Sequence, residues 1–83
     1  MTTVLTLYSR PGCHLCDEAK EALGRVRAQA PFDLHEINIE TDDALHARYL
    51  ERIPVVALDG EELFDYVVDE AALCRRILYR GGE

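Results

Sequence analysis

At 83 residues, 48% of them hydrophobic and 30% charged, the chain is long enough for one globular domain, residues 1–83, and too short for two. A formal net charge of −7 argues against nucleic acid or an anionic membrane surface as partner, because both call for concentrated Lys and Arg. Three cysteines, an odd count, exclude a secreted disulfide framework, and no apolar run approaches the ~20 residues of a membrane span.

The opening MTTVLTLYS lacks a basic start followed by a long apolar stretch, so no secretory signal is expected and a cytoplasmic location is the default. Val4 to Tyr8, apolar and β-branched, reads as a strand, and Ser9-Arg10-Pro11-Gly12 as a loop. From Cys13 onward the apolar positions Leu15, Ala19, Ala22, Leu23, Val26 and Ala30 follow the spacing of a helix with one buried face, which Pro31 ends. Leu34 to Ile39 alternates as a strand. Thr41 is expected to cap a second helix with Asp42 and Asp43 in its first turn and Leu45, Tyr49 and Leu50 inward.

Ile53 to Leu58 reads as a buried strand, Asp59-Gly60 as a two-residue hairpin turn, and Glu61 to Val67 as the returning antiparallel strand. Asp69 is expected to cap a last helix that turns Leu73, Cys74, Ile77 and Leu78 inward. The order is β-α-β-α-β-β-α. The first strand–helix–strand unit should be parallel, and the hairpin should add an antiparallel pair, giving a four-stranded mixed sheet covered by helices.

Cys13 and Cys16 stand three apart at the start of the first helix. Such a pair can hold a metal, close a disulfide or be inert. A closed zinc site wants four ligands, and a second pair is absent; His14, His35, His46 and Cys74 are poorly placed to replace it. In a reducing compartment a close pair is more often redox-active or metal-binding than structural. A helix N-terminus favours negative charge and lowers the pKa of a thiol placed there, so Cys13 is the expected nucleophile. Arg10 and His14 would add positive charge, or else be a loop charge and a solvated first-turn residue. Cys16, one turn on, is expected to be buried as a neutral thiol. Cys74, on an apolar helical face, reads as a small core residue.

The segment LYSRPGCHLC resembles the active-site segment of glutaredoxins, in the thioredoxin-fold superfamily, including its Tyr8-Ser9-Arg10 lead-in. The element order resembles the glutaredoxin core over essentially the whole chain. The resemblance implies that Pro54, in Arg52-Ile53-Pro54-Val55-Val56, is cis and lies beside Cys13, and that the backbone of Ile53 pairs with a bound thiol substrate. It implies a thiol–disulfide oxidoreductase with Cys13 and Cys16 catalytic, and with Arg10, His14, Ile53 and Pro54 on the substrate. The expected partners are a disulfide-bearing protein and, as electron donor, glutathione or thioredoxin reductase. No dissociable cofactor is implied, and the chain should be a monomer. An iron–sulfur or metal carrier and a redox-inert binding module are the alternatives. Two features depart from the family. His14-Leu15 replaces the common Pro-Tyr, and the glycine pair that lets glutathione approach falls on Phe64-Asp65.

Overall fold

The computed structural model describes residues 3–79. Four strands, β1 (Val4–Ser9), β2 (Asp33–Asn38), β3 (Val55–Leu58) and β4 (Glu61–Asp65), form one sheet in the order β2-β1-β3-β4. Helices α1 (His14–Gln29), α2 (Asp43–Tyr49) and α3 (Glu70–Tyr79) complete the expected order, and a short 3-10 turn, Ile39–Thr41, precedes α2. β1 runs parallel to β2, with Leu5 opposite Leu34, and antiparallel to β3, with Leu7 opposite Val56; β4 returns antiparallel to β3. Among the described residues no helix is long and apolar enough to cross a membrane.

The central position of β1 explains its pattern. Leu5, Leu7 and Ser9 are buried on one face while Thr6 and Tyr8 alternate to the other. Leu5 and Leu7 join Val56 and Leu58 of β3, Leu23 and Val26 of α1, and Leu73 and Ile77 of α3 in the larger apolar cluster. Each fully buried aliphatic side chain there contributes roughly 1.5–3 kcal/mol. Tyr8 and Val55, on the alternate positions, face a smaller cluster of Cys16, Ile39, Tyr49 and Ile53. This second cluster carries the site.

The Asp59-Gly60 turn behaves as its sequence dictates. Both residues take positive φ, 48° and 92°, as a tight hairpin turn requires. Asp59 also ties the turn to the sheet: its carboxylate accepts from the Val4 N–H at 3.0 Å.

Several boundaries and faces differ from the sequence reading. Asp42, not Thr41, caps α2, accepting from the Ala44 and Leu45 N–H groups at 2.8 and 3.2 Å; Thr41 is spent in the 3-10 turn. β3 starts at Val55, because Ile53 still belongs to the preceding turn and gives its N–H to the Tyr49 carbonyl. β4 stops at Asp65, because Tyr66 turns to φ 63° and leaves Val67 out in solvent. Leu15, Leu50 and Leu78, read as inward, are exposed, Leu50 because it lies past the end of α2 as its C-cap. Asp69 does accept from the Ala72 N–H at 3.1 Å at the start of α3.

Candidate active site

Pro11 and Gly12 make the turn that delivers the chain from β1 to α1. Gly12 sits at φ 76°, a conformation that glycine adopts at little cost. The next residue, Cys13, is extended and is the N-cap of α1. Its Sγ accepts from the Cys16 N–H at 3.2 Å, where Ser, Thr, Asp or Asn would normally place an oxygen. A sulfur used as a cap faces the unsatisfied N–H groups and positive dipole end of a sixteen-residue helix.

The two sulfurs occupy different surroundings. Cys13 is half-buried, while Cys16 is 1% exposed and packed with Ile39, Tyr49, Ile53 and Val55. Burial first, then the adjacent Cys13 side chain, push the Cys16 thiol up to about 12, while the Arg10 backbone pulls the other way. Cys16 is therefore held as a neutral thiol.

Of the residues singled out in the sequence, Cys13, Cys16 and Ile53 share one apolar cluster. The Ile53–Pro54 peptide is cis, and Pro54 is buried. The Ile53 N–H is committed to Tyr49 at 3.0 Å, so only its carbonyl side is left for a substrate backbone. Arg10 lies on the exposed loop, lining a groove with Gly12, Lys20 and Glu36. His14 is 88% exposed and pairs with Glu18 at 3.1 Å, turned to solvent. Cys74 is half-buried against the larger cluster, away from the pair. Among the described residues no group of three or more His, Cys, Asp or Glu is arranged to hold a metal ion.

The structure adds residues that sequence reasoning missed. The Tyr8 and Tyr49 rings stack with centroids 4.4 Å apart, beside Cys13 and Ile53. The Tyr49 hydroxyl donates to Glu62 at 2.8 Å, and the same carboxylate receives Arg52 at 2.6 Å, two residues before Pro54. Tyr66 closes the other side: its N–H donates to the Pro54 carbonyl at 2.9 Å and its hydroxyl to the Glu51 carbonyl. The strand and lead-in position of Tyr8 and the inward position of Tyr49 were legible beforehand, but not the stacking of their rings. Glu62 and Tyr66 read only as members of the returning strand from Glu61 to Val67.

The family model described as Glutaredoxin-like domain (DUF836) matches residues 4–78. An uncharacterized protein of Mycobacterium tuberculosis (strain ATCC 25618 / H37Rv) is 33% identical over 72 residues, covering 81% of this chain and 74% of its own length. The solution structure of protein Ne2328 from Nitrosomonas europaea superposes with a TM-score of 0.81 at 30% identity, covering 93% of each chain. Protein XcR50 of X. campestris gives 0.71 at 39% identity over 95% of this chain and 97% of its own. A thioredoxin mutant from Halobacterium salinarum gives 0.64 at 26% identity over 90% of this chain and 71% of its own. The fold is thioredoxin-like.

Proposed function

The chain belongs to the glutaredoxin-like domain family, and we propose that it is a dithiol thiol–disulfide oxidoreductase that reduces disulfides of protein or small-molecule substrates. The thioredoxin-like fold supports a redox role in general. The observation that carries the specific reading is the cap: the Cys13 Sγ ends α1 and receives the Cys16 N–H, with a buried thiol one turn behind it.

In this reading the Cys13 thiolate attacks one sulfur of a substrate disulfide. The substrate S–S bond breaks, a mixed disulfide forms at Cys13, and the first substrate thiolate leaves and takes a proton from water. Cys16 then gives up its proton and attacks the Cys13 Sγ. The mixed disulfide breaks, the second substrate thiol leaves, and the Cys13–Cys16 pair is oxidised by the two electrons the substrate gained. An external thiol donor, glutathione or a thioredoxin reductase, restores the dithiol. The Ile53 carbonyl and the buried Pro54 flank the substrate sulfur, and Arg10 meets the substrate from the loop. His14, paired with Glu18, contributes least.

The test is reduction of a neutral small disulfide, hydroxyethyl disulfide, by the wild type and two variants. Cys13→Ser abolishes it, and Cys16→Ser accumulates a mixed disulfide with the substrate, seen by intact-protein mass. Wild-type rates in both variants overturn the reading. Recycling the oxidised protein with glutathione plus its reductase, against thioredoxin reductase, identifies the donor.

A further inference from the structure

Next to the cysteine pair, α1 and the segment joining β4 to α3 leave an open groove of about 270 Å³. It begins at Leu15, one of the two residues between Cys13 and Cys16, and runs to Tyr66 and Val67. These three apolar side chains are 42%, 49% and 73% exposed, and they make up half of the large hydrophobics exposed among the described residues. Scattered exposed apolar residues need no explanation, but three gathered in one groove beside a reactive sulfur do.

The groove's charge is one-sided. Glu18, Glu21 and Glu70 line it against a single guanidinium, Arg25, which is spent on Glu70 at 2.8 Å. The nearby start of α3 offers no anion site either, since the Asp69 carboxylate already takes the Ala72 N–H. A ligand carrying carboxylates therefore meets carboxylates. A second copy of this chain, with a net charge of −7, is repelled for the same reason.

We propose that this groove receives an extended segment of a cationic partner protein. The segment's disulfide cysteine reaches Cys13, its neighbouring apolar side chain covers Leu15, Tyr66 and Val67, and its flanking Lys or Arg residues face Glu18 and Glu21. The inference rests on the disulfide-exchange reading of Cys13. It makes the preferred substrate a basic, apolar protein segment rather than an anionic thiol peptide.

The experiment uses three capped peptides as symmetric disulfide dimers: Lys-Leu-Cys-Lys, Glu-Leu-Cys-Glu and Lys-Ser-Cys-Lys. Their reaction with the reduced protein is followed by stopped flow. Each rate is divided by the rate of the same dimer with dithiothreitol, which cancels intrinsic disulfide reactivity. Hydroxyethyl disulfide is run alongside. The cationic leucine dimer should react about tenfold faster than the acidic one at low salt, and the gap should shrink towards unity at ~1 M salt. Serine in place of leucine should cost several-fold, and Val67→Ser should erase that difference. The combined Glu18→Gln and Glu21→Gln variant should narrow the charge preference. Equal normalised rates for all three dimers, or a faster acidic dimer, with hydroxyethyl disulfide still reduced, overturn this inference alone. Failure to reduce hydroxyethyl disulfide overturns the oxidoreductase reading and this one with it.

Discussion

The backbone N–H of Cys16 donates to the Sγ of Cys13 at 3.2 Å, so the first cysteine of the pair caps the helix that carries the second. Cys16 thus gives its backbone N–H to the Cys13 sulfur, while its own sulfur is packed among Ile39, Tyr49, Ile53 and Val55. The division of labour follows from one turn of α1 crossing the boundary between solvent and the smaller apolar cluster.

The resolving step should carry the signature of the buried thiol. Cys16 is pushed up to about 12, by burial before any other cause. Only the thiolate attacks, so its population near neutral pH rises tenfold for each pH unit. In single-turnover experiments starting from the Cys13 mixed disulfide, release of the second substrate thiol should accelerate nearly tenfold per unit from pH 6 to about 9, without a plateau. A plateau setting in near pH 8 would show a Cys16 that is not desolvated.

Glu62 should be a structural hub whose contribution fades in acid. It accepts from Arg52 at 2.6 Å and from the Tyr49 hydroxyl at 2.8 Å, and Arg48 stands 3.6 Å away. Arg52 first, then Tyr49, hold its carboxyl below the ordinary 4.5. A depressed carboxyl stabilises the fold fully above its unfolded value and loses that contribution as pH falls through the folded one. Glu62→Gln should cost about 1–2 kcal/mol at pH 7, lowering the melting temperature by roughly 4–16 °C. The gap between variant and wild type should close progressively in melts taken below pH 4.5. A gap independent of pH would mean that the carboxylate's charge plays no part.

Tyr66 holds a left-handed backbone, φ 63°, that an L side chain adopts at a cost of roughly 1–2 kcal/mol. Its N–H to Pro54 and its hydroxyl to the Glu51 carbonyl offset that cost. Tyr66→Ala keeps the strained backbone and loses the ring, whereas Tyr66→Gly loses the ring and relieves the strain. The glycine variant should therefore be the more stable of the two by roughly 1 kcal/mol in urea denaturation, against the usual preference for alanine. Equal stability would place this residue outside the left-handed region.

What could be read in the sequence was whatever depends on local pattern. The Asp59-Gly60 turn, the strand of Val4 to Tyr8 and the spacing of α1 are each encoded within a few residues, and each is present. The two cysteines at the helix start were legible for the same reason. Thr41 was mistaken for a cap because Asn38, by accepting from the Glu40 N–H, starts a 3-10 turn that shifts the real cap to Asp42. The extent of β4 was overestimated because no glycine marks the left-handed Tyr66. The cis state of Pro54 has no local signature and came only from the family resemblance. The hydrogen bond from Tyr49 to Glu62 joins two elements 13 residues apart, a distance at which periodicity carries no information. Helical spacing likewise places Leu15 on the apolar stripe without saying that the stripe's edge opens into a groove.

Two glycines give a final, paired expectation. An added Cβ would meet nothing within 4 Å at either Gly12 or Gly24, so sterics favour neither residue and backbone conformation alone decides. Gly24 lies inside α1 on an exposed face, and Gly24→Ala should stabilise the fold by roughly 0.5–1 kcal/mol through helix propensity. Gly12 sits at φ 76°, and Gly12→Ala should destabilise by roughly 1–2 kcal/mol. The second substitution also strains the turn that sets Cys13 at the head of α1. Relief of that strain would rotate the residue out of its N-cap conformation and lengthen the bond from the Cys16 N–H to its sulfur. Gly12→Ala should therefore slow alkylation of Cys13 at pH 7 as well as lowering the melting temperature, while Gly24→Ala raises the melting temperature and leaves the alkylation rate unchanged. Parallel behaviour of the two variants in both measurements would break the link drawn between this turn and the reactive sulfur.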